Sequence, residues 1–248
     1  MMLKLPKVIG HRGAKGYAPE NTLESIRTAA DMGVEWVELD VKLTRDGVPV
    51  IFHDEDLARV TNGSGLMAET DYDDIKELDA GSWYGESFLG AKIPTLEEAV
   101  DVLIENDMGL NLEIKPCPGR EEETASVALD VMSQIWDDHD RILISSFKLI
   151  SLEAAQNLAN DWARGLLFEE DIPDDWPKLA QHLEVSTLNV NGNSLKKSEC
   201  EYLLEAELPL LAYTINDPMR ARELQRWGID SIFSDVPDLI MENLLESH

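Results

Sequence analysis

Positive charge is scarce in this sequence: 21 Lys and Arg stand against 49 Asp and Glu in 248 residues, a formal net charge of −28. Nucleic acids and anionic membranes both bind through clustered cations, so this balance argues against either as a partner. Cysteine is almost absent. Cys117 and Cys200 are too few for a disulfide framework and lack metal-ligand spacing, which leaves them as free thiols of a reducing compartment. No apolar stretch approaches membrane-spanning length, and the run Val8-Ile9-Gly10-His11 starts too soon after Met1 for a charged and apolar leader. These absences predict a soluble, cytoplasmic protein without stable membrane association. Any site for an anion must be locally positive inside a strongly negative molecule, and this makes individual cations such as Arg12 and Lys115 informative.

What the chain does have is alternation. Apolar, β-rich runs trade with helical patterns along nearly its whole length, which signals an α/β fold with a parallel sheet. Eight such runs predict strands: 8–11, 35–41, 109–115, 141–145, 164–168, 185–190, 209–215 and 230–234. Eight strands in a chain of this length predict one (β/α)8 barrel, a TIM barrel, spanning 1–248 as a single domain. A ninth run, 48–53, follows the second strand too closely for a parallel crossover. It must return antiparallel through Thr44-Arg45-Asp46-Gly47, and that turn places His53 roughly opposite Glu38. Asn21-Thr22-Leu23-Glu24 reads as a capping box opening the first helix, while Leu96, Ala99, Val100 and Leu103 form one apolar helical stripe. Asp217-Pro218 opens a later helix that Gly228 closes. Residues of about 54–95 interrupt the rhythm with Asn62-Gly63-Ser64-Gly65, many acids and Trp83, Tyr84 and Phe88, and are expected to form a small inserted subdomain or a lid over the barrel mouth.

Four segments at strand ends carry the chemistry. Glu38 and Asp40 stand two apart and share one face of a strand, away from Val37, Leu39 and Val41. For that pair alone, a cation between them and ion pairs to Lys42 or Lys115 account for the pattern equally well. Glu113 and Lys115 repeat the spacing on the next barrel strand, where Glu113 offers a third oxygen ligand and Lys115 a point charge for a phosphoryl oxygen. An all-oxygen set of Glu38, Asp40 and Glu113 favours Mg²⁺ or Ca²⁺ over zinc. His11 and His53 both end strands beside these acids, and imidazole suits proton transfer near neutrality. Arg12 supplies a planar fork matched to phosphate oxygens. His139, His182 and His248 lie in helical or terminal contexts and are assigned no role. Ser145, Ser146, Phe147, Asn189, Asn191 and Tyr213-Thr214-Ile215-Asn216 also end strands; contact with a substrate and ordinary strand-end packing both fit them. The same holds for the three aromatics of the insertion.

Taken together, Gly10-His11-Arg12-Gly13, Ala18-Pro19-Glu20-Asn21-Thr22, Glu38-Leu39-Asp40-Val41, Val50-Ile51-Phe52-His53-Asp54, Leu112-Glu113-Ile114-Lys115-Pro116 and Ala212-Tyr213-Thr214-Ile215-Asn216 resemble, in order, the motifs of the glycerophosphodiester phosphodiesterase family. The similarity covers essentially the entire chain and is strongest to the bacterial cytoplasmic type. It implies a (β/α)8 barrel that hydrolyses a small-molecule glycerophosphodiester to sn-glycerol 3-phosphate and an alcohol with one divalent cation, Mg²⁺ or Ca²⁺. It further implies that His11 and His53 are the acid and base, that Glu38, Asp40 and Glu113 hold the cation, and that Arg12 and Lys115 hold the phosphate. Tyr213 departs mildly from the pattern, since many members have Trp there, and it falls in the pocket for the substrate's headgroup. An enzyme acting on intact lipids is the nearest rival, and the net negative charge counts against it. A catalytically silent phosphodiester-binding protein would be expected to lack one of the histidines. A zinc amidohydrolase would need two alternating histidines on the first strand.

Overall fold

The computed structural model describes residues 3–244; His248 lies outside them. Nine strands and nine α-helices alternate among the described residues: β1 Val8–His11, α1 Leu23–Asp31, β2 Trp36–Leu43, β3 Pro49–Ile51, α2 Tyr72–Ile75, α3 Leu96–Glu105, β4 Gly109–Ile114, α4 Glu121–Ile135, β5 Ile142–Ser146, α5 Leu149–Leu158, β6 Ala163–Leu167, α6 Trp176–His182, β7 Thr187–Asn191, α7 Lys197–Leu204, β8 Leu210–Tyr213, α8 Pro218–Trp227, β9 Ser231–Ser234 and α9 Pro237–Asn243. The sheet order β1-β9-β8-β7-β6-β5-β4-β2 closes through β1–β2, so eight parallel strands form a barrel, with β3 appended to β2 antiparallel. No helix among the described residues is long and apolar enough to cross a membrane.

Two apolar layers hold the helices to the barrel. Val37, Leu39 and Val41 of β2 pack outward with Leu110, Leu112 and Ile114 of β4 against α3 and α4, while Leu188, Val190, Leu210 and Ala212 do the same on the far side. Alternation along a strand therefore turns Trp36, Glu38, Asp40 and Lys42 inward. The barrel floor is filled by Ile9, Trp36, Leu143, Leu211 and Phe233. Gly109 makes room for this floor, because a Cβ there would lie 2.3 Å from the Trp36 ring. Apolar floor below and polar ends above concentrate the chemistry at the C-terminal mouth.

Strand register sets the neighbours at that mouth. His11 pairs with Glu38 across β1–β2, and Asp40 pairs with Glu113 across β2–β4. The hairpin differs from expectation by one residue. Val41 pairs with Ile51 and Leu43 with Pro49, because Val48 joins the turn when its carbonyl accepts the Thr44 N–H. Continued, that register would set His53 opposite Leu39 instead of Glu38; β3 instead ends at Ile51, and the Phe52 N–H still reaches the Asp40 carbonyl at 2.9 Å.

The first helix is capped one residue later than the motif suggested. Thr22 accepts from the Ser25 N–H, and Ser25 accepts from the Thr22 N–H, a reciprocal box without Glu24. Asn21, with φ at 56°, is thereby left free to turn its side chain to Asp40. The stripe of α3 is buried as expected, and Asp217 and Gly228 bound α8. Between β3 and α3 the chain makes α2 and two single 3-10 turns, packed on a cluster that includes Phe52, Leu57, Val60, Met67, Ile75 and Ile93.

Candidate active site

A cavity of about 240 Å³ opens at the barrel mouth, lined by His11, Arg12, Glu38, His53, Asn111, Glu113, Lys115, Ser145, Phe147, Tyr213 and Thr214 among others. Carboxylate oxygens of Glu38, Asp40 and Glu113 lie within 4.8 Å of one another, all three residues being buried. Burial, then the charges of Asp40 and Glu113, push the Glu38 carboxyl well above its usual value. Burial and Asp40 likewise push Glu113 up to about 7, against the pull of Lys115. Burial acts in the same direction on Asp40, but the Arg12 guanidinium beside it wins and holds its carboxyl well below the usual range. Glu38 Oε1 is buried without a hydrogen-bond partner. A crowded all-oxygen set with one orphaned oxygen fits a hard divalent cation, which would replace the protons that repulsion now retains.

Arg12 occupies the left-handed region, with φ at 51°, followed by Gly13 at 84°. A Cβ on Gly13 would meet Ser25 Oγ at 2.4 Å, so only glycine lets the loop close onto α1. The strained turn aims the Arg12 N–H at Glu38 Oε2, 3.0 Å away, and its Nη1 at Glu20 Oε1, 2.7 Å away. Arg12 Nε lies 3.2 Å from Asp40 Oδ2, yet it makes no aligned hydrogen bond. Asn21 Nδ2 donates to the same Asp40 oxygen at 2.8 Å.

Each pocket histidine has a carboxylate on Nδ1. His11 Nδ1 meets Asp235 Oδ1 at 2.6 Å, and His53 Nδ1 meets Asp54 Oδ1 at 2.6 Å. Because an ionised carboxylate only accepts, these contacts place a proton on Nδ1 and leave Nε2 free to exchange one. His11 Nε2 lies 3.9 Å from Glu38 Oε2. Burial lowers the pKa of both imidazoles despite the carboxylates, which favours the neutral form near pH 7.

Lys115 Nζ donates to Glu113 Oε1 at 2.8 Å and sits 4.9 Å over the Phe147 ring. Lys42 turns away from the acids and donates to the Lys115 carbonyl at 2.8 Å. Tyr213 lends the pocket only its ring, packed edge-on against Phe147 at 5.8 Å, because its hydroxyl donates to the Phe168 carbonyl.

Several residues for which substrate contact and ordinary packing fitted equally do not line the cavity. Asn189 is buried and accepts from Thr187 Oγ1, Asn191 caps the Asn193 N–H, and Ser146 Oγ donates to the Ile114 carbonyl. Trp83, Tyr84 and Phe88 stack edge-on against one another instead. Conversely, sequence reasoning gave no site role to Asp235, Glu20, Asn21, Asp54 or Arg59. Glu20, Asn21 and Asp54 stand in segments that carried the family resemblance, and Asp54 adjoins His53; Asp235 and Arg59 had no such signal.

The model of the glycerophosphoryl diester phosphodiesterase family matches residues 11–239. The chain belongs to that family. A glycerophosphodiester phosphodiesterase of Caldanaerobacter subterraneus subsp. tengcongensis is 32% identical over 238 residues, 94% of this chain and 96% of the relative. Another, from Bacillus subtilis, is 32% identical over 247 residues, covering 93% and 84%. The structure of an Oleispira antarctica phosphodiesterase in complex with the product sn-glycerol-3-phosphate matches with a TM-score of 0.93 and 43% identity over 96% of each chain. These likenesses bear out both the (β/α)8 barrel and the resemblance read from the motifs. As a family member, the chain is an enzyme of the phosphodiesterase class.

Proposed function

We propose that this chain hydrolyses a glycerophosphodiester to sn-glycerol 3-phosphate and an alcohol, using one divalent cation and two histidines. The observation that carries this reading is the arrangement in one cavity of two carboxylate-buttressed imidazoles, a buried oxygen triad and the cations Arg12 and Lys115. Its support includes the similar phosphodiesterase that binds the product sn-glycerol-3-phosphate. Glu38, Asp40 and Glu113 would hold the cation, Mg²⁺ or Ca²⁺, which when bound supplies positive charge for the phosphoryl oxygens.

His11, neutral and held by Asp235, accepts a proton from the nucleophile as general base. His53 acts as general acid in its imidazolium form: with the Nδ1 proton held by Asp54, the protonated fraction gives its Nε2 proton to the leaving alkoxide. The Arg12 fork and Lys115 offset charge that builds on the non-bridging oxygens. For this, Lys115 must exchange its Glu113 partner for a phosphoryl oxygen, an exchange favoured once Glu113 binds a cation. The Tyr213 ring flanks the substrate's organic group. The chain acts as one catalytic domain in which the 54–95 segment is the inserted subdomain. A coupled assay for released glycerol 3-phosphate, with choline, ethanolamine and glycerol esters and with or without chelator, tests the reading. Turnover that survives complete removal of divalent cations would refute the cation's part, and no release from any ester would refute the activity.

A further inference from the structure

Glu20, only 5% exposed, holds two arginines at once. Arg12 Nη1 reaches Oε1 at 2.7 Å, while Arg59 Nη2 reaches the same oxygen at 2.7 Å and Arg59 Nη1 reaches Oε2 at 3.0 Å. With its remaining edge Arg59 grips Asp54, Nε to Oδ2 at 2.5 Å and Nη2 to Oδ1 at 2.9 Å. Asp54 Oδ1 is the oxygen that meets His53 Nδ1. One guanidinium from the segment beyond β3 thus ends two short relays, Asp54 to His53 and Glu20 to Arg12. It lines neither the cavity nor the carboxylate triad.

Only a fork of five donors in one plane can satisfy both carboxylates at these distances; an ammonium offers three donors at a single point. The Arg59 bonds hold the Asp54 carboxyl down to about 2, so it stays ionised and its acceptor stays aimed at the imidazole. Glu20, taken out of water, needs both guanidinium partners to offset its desolvation, so loosening Arg59 also frees Arg12 to shift.

We propose that Arg59 is a positioning residue for the phosphodiester reaction, setting the orientation of the leaving-group acid His53 and of the phosphate fork Arg12 together. This rests on the hydrolysis reading above. The two effects have different kinetic signatures. A misplaced acid matters when the leaving alkoxide needs a proton and matters little when the leaving group is a stable phenolate. A misplaced Arg12 weakens binding of the phosphate itself.

The experiment compares wild type, Arg59→Met and Arg59→Ala on glycerophosphocholine and on the p-nitrophenyl ester of glycerol phosphate, with the product glycerol 3-phosphate as inhibitor. Arg59→Met should lower kcat on glycerophosphocholine by about 10–100-fold, the usual cost of removing an outer partner. It should lose far less on the p-nitrophenyl ester, and it should bind glycerol 3-phosphate more weakly. Arg59 has a side chain 46% exposed, so free guanidinium ion should enter the Arg59→Ala gap and restore activity. Should both Arg59 variants fail to fold, Asp54→Asn carries the test. It keeps Arg59 on Glu20, so it should show the leaving-group-dependent loss with unchanged product binding. Equal losses on both substrates, no guanidinium rescue, or kcat within about twofold of wild type would reduce Arg59 to a staple of the fold and overturn the proposal. A wild-type protein inert on both esters would overturn the hydrolysis reading and the proposal together.

Discussion

Loading the carboxylate triad with Mg²⁺ or Ca²⁺ should expel protons, and the number expelled should fall as pH rises. With oxygens within 4.8 Å, two unit charges repel by about 3.5 kcal/mol or more at an effective dielectric of 20. Moving Glu113 from 4.5 to about 7 corresponds to about 3.4 kcal/mol, the same scale, with burial and Asp40 both contributing. At pH 6 a carboxyl with that pKa is about nine-tenths protonated, and Glu38 is displaced in the same direction. A bound divalent ion reverses the sign of the local field, so both carboxyls should ionise, releasing between about one and two protons at pH 6 and fewer at pH 8.5. Calorimetric titration in two buffers of different ionisation enthalpy counts them. Binding heats at pH 6 that do not depend on the buffer would refute the reasoning, since the triad would then be ionised before the cation arrives. A stability corollary has a definite sign. Raised in the fold, Glu113 keeps its proton where the unfolded chain has lost it, so its contribution to metal-free stability is lost as pH rises from 4.5 through about 7. The gain in Tm on adding cation should therefore be larger at pH 7.5 than at pH 5.

Three further outcomes follow from the same geometry. His11→Ala and His53→Ala should each lower kcat by about two to four orders of magnitude, and the double variant by much less than the product; steady-state assays with near-normal kcat in either would remove that histidine from the mechanism. Asp235→Asn takes the carboxylate from His11 Nδ1, 2.6 Å away, and should lower kcat by about tenfold or more with little change in KM, so an unchanged kcat would leave Asp235 a mere neighbour. Lys115→Met should lower kcat/KM by about tenfold or more while calorimetry shows cation affinity unchanged or improved; lost cation binding in the folded variant would mean that Lys115 acts by holding Glu113.

What could be read from the sequence was what depends on local period and chain order. Alternation along β2 and β4 puts Glu38, Asp40, Glu113 and Lys115 on the inner face because Val37, Leu39, Val41, Leu112 and Ile114 must face the helices. The βα rhythm implied the closed barrel, and closure brings β1, β2 and β4 side by side, so His11, Glu38, Asp40 and Glu113 meet. Other features depended on contacts that no local pattern encodes. Asp235 reaches His11 across 224 positions, only because β9 pairs with β1 to shut the barrel. Glu20 and Arg59, 39 positions apart, meet where the loop after β1 touches the segment after β3. Asn189 ends on an inward strand position yet spends its side chain on Thr187 below the cavity, and Tyr213 gives its hydroxyl to Phe168. The hairpin register slipped by one because Val48 was drawn into the turn by a backbone hydrogen bond. Side-chain periodicity decides which face a residue occupies. Which partner a polar group then takes is decided by the three-dimensional competition for buried donors and acceptors, and that competition exists only once the barrel has closed.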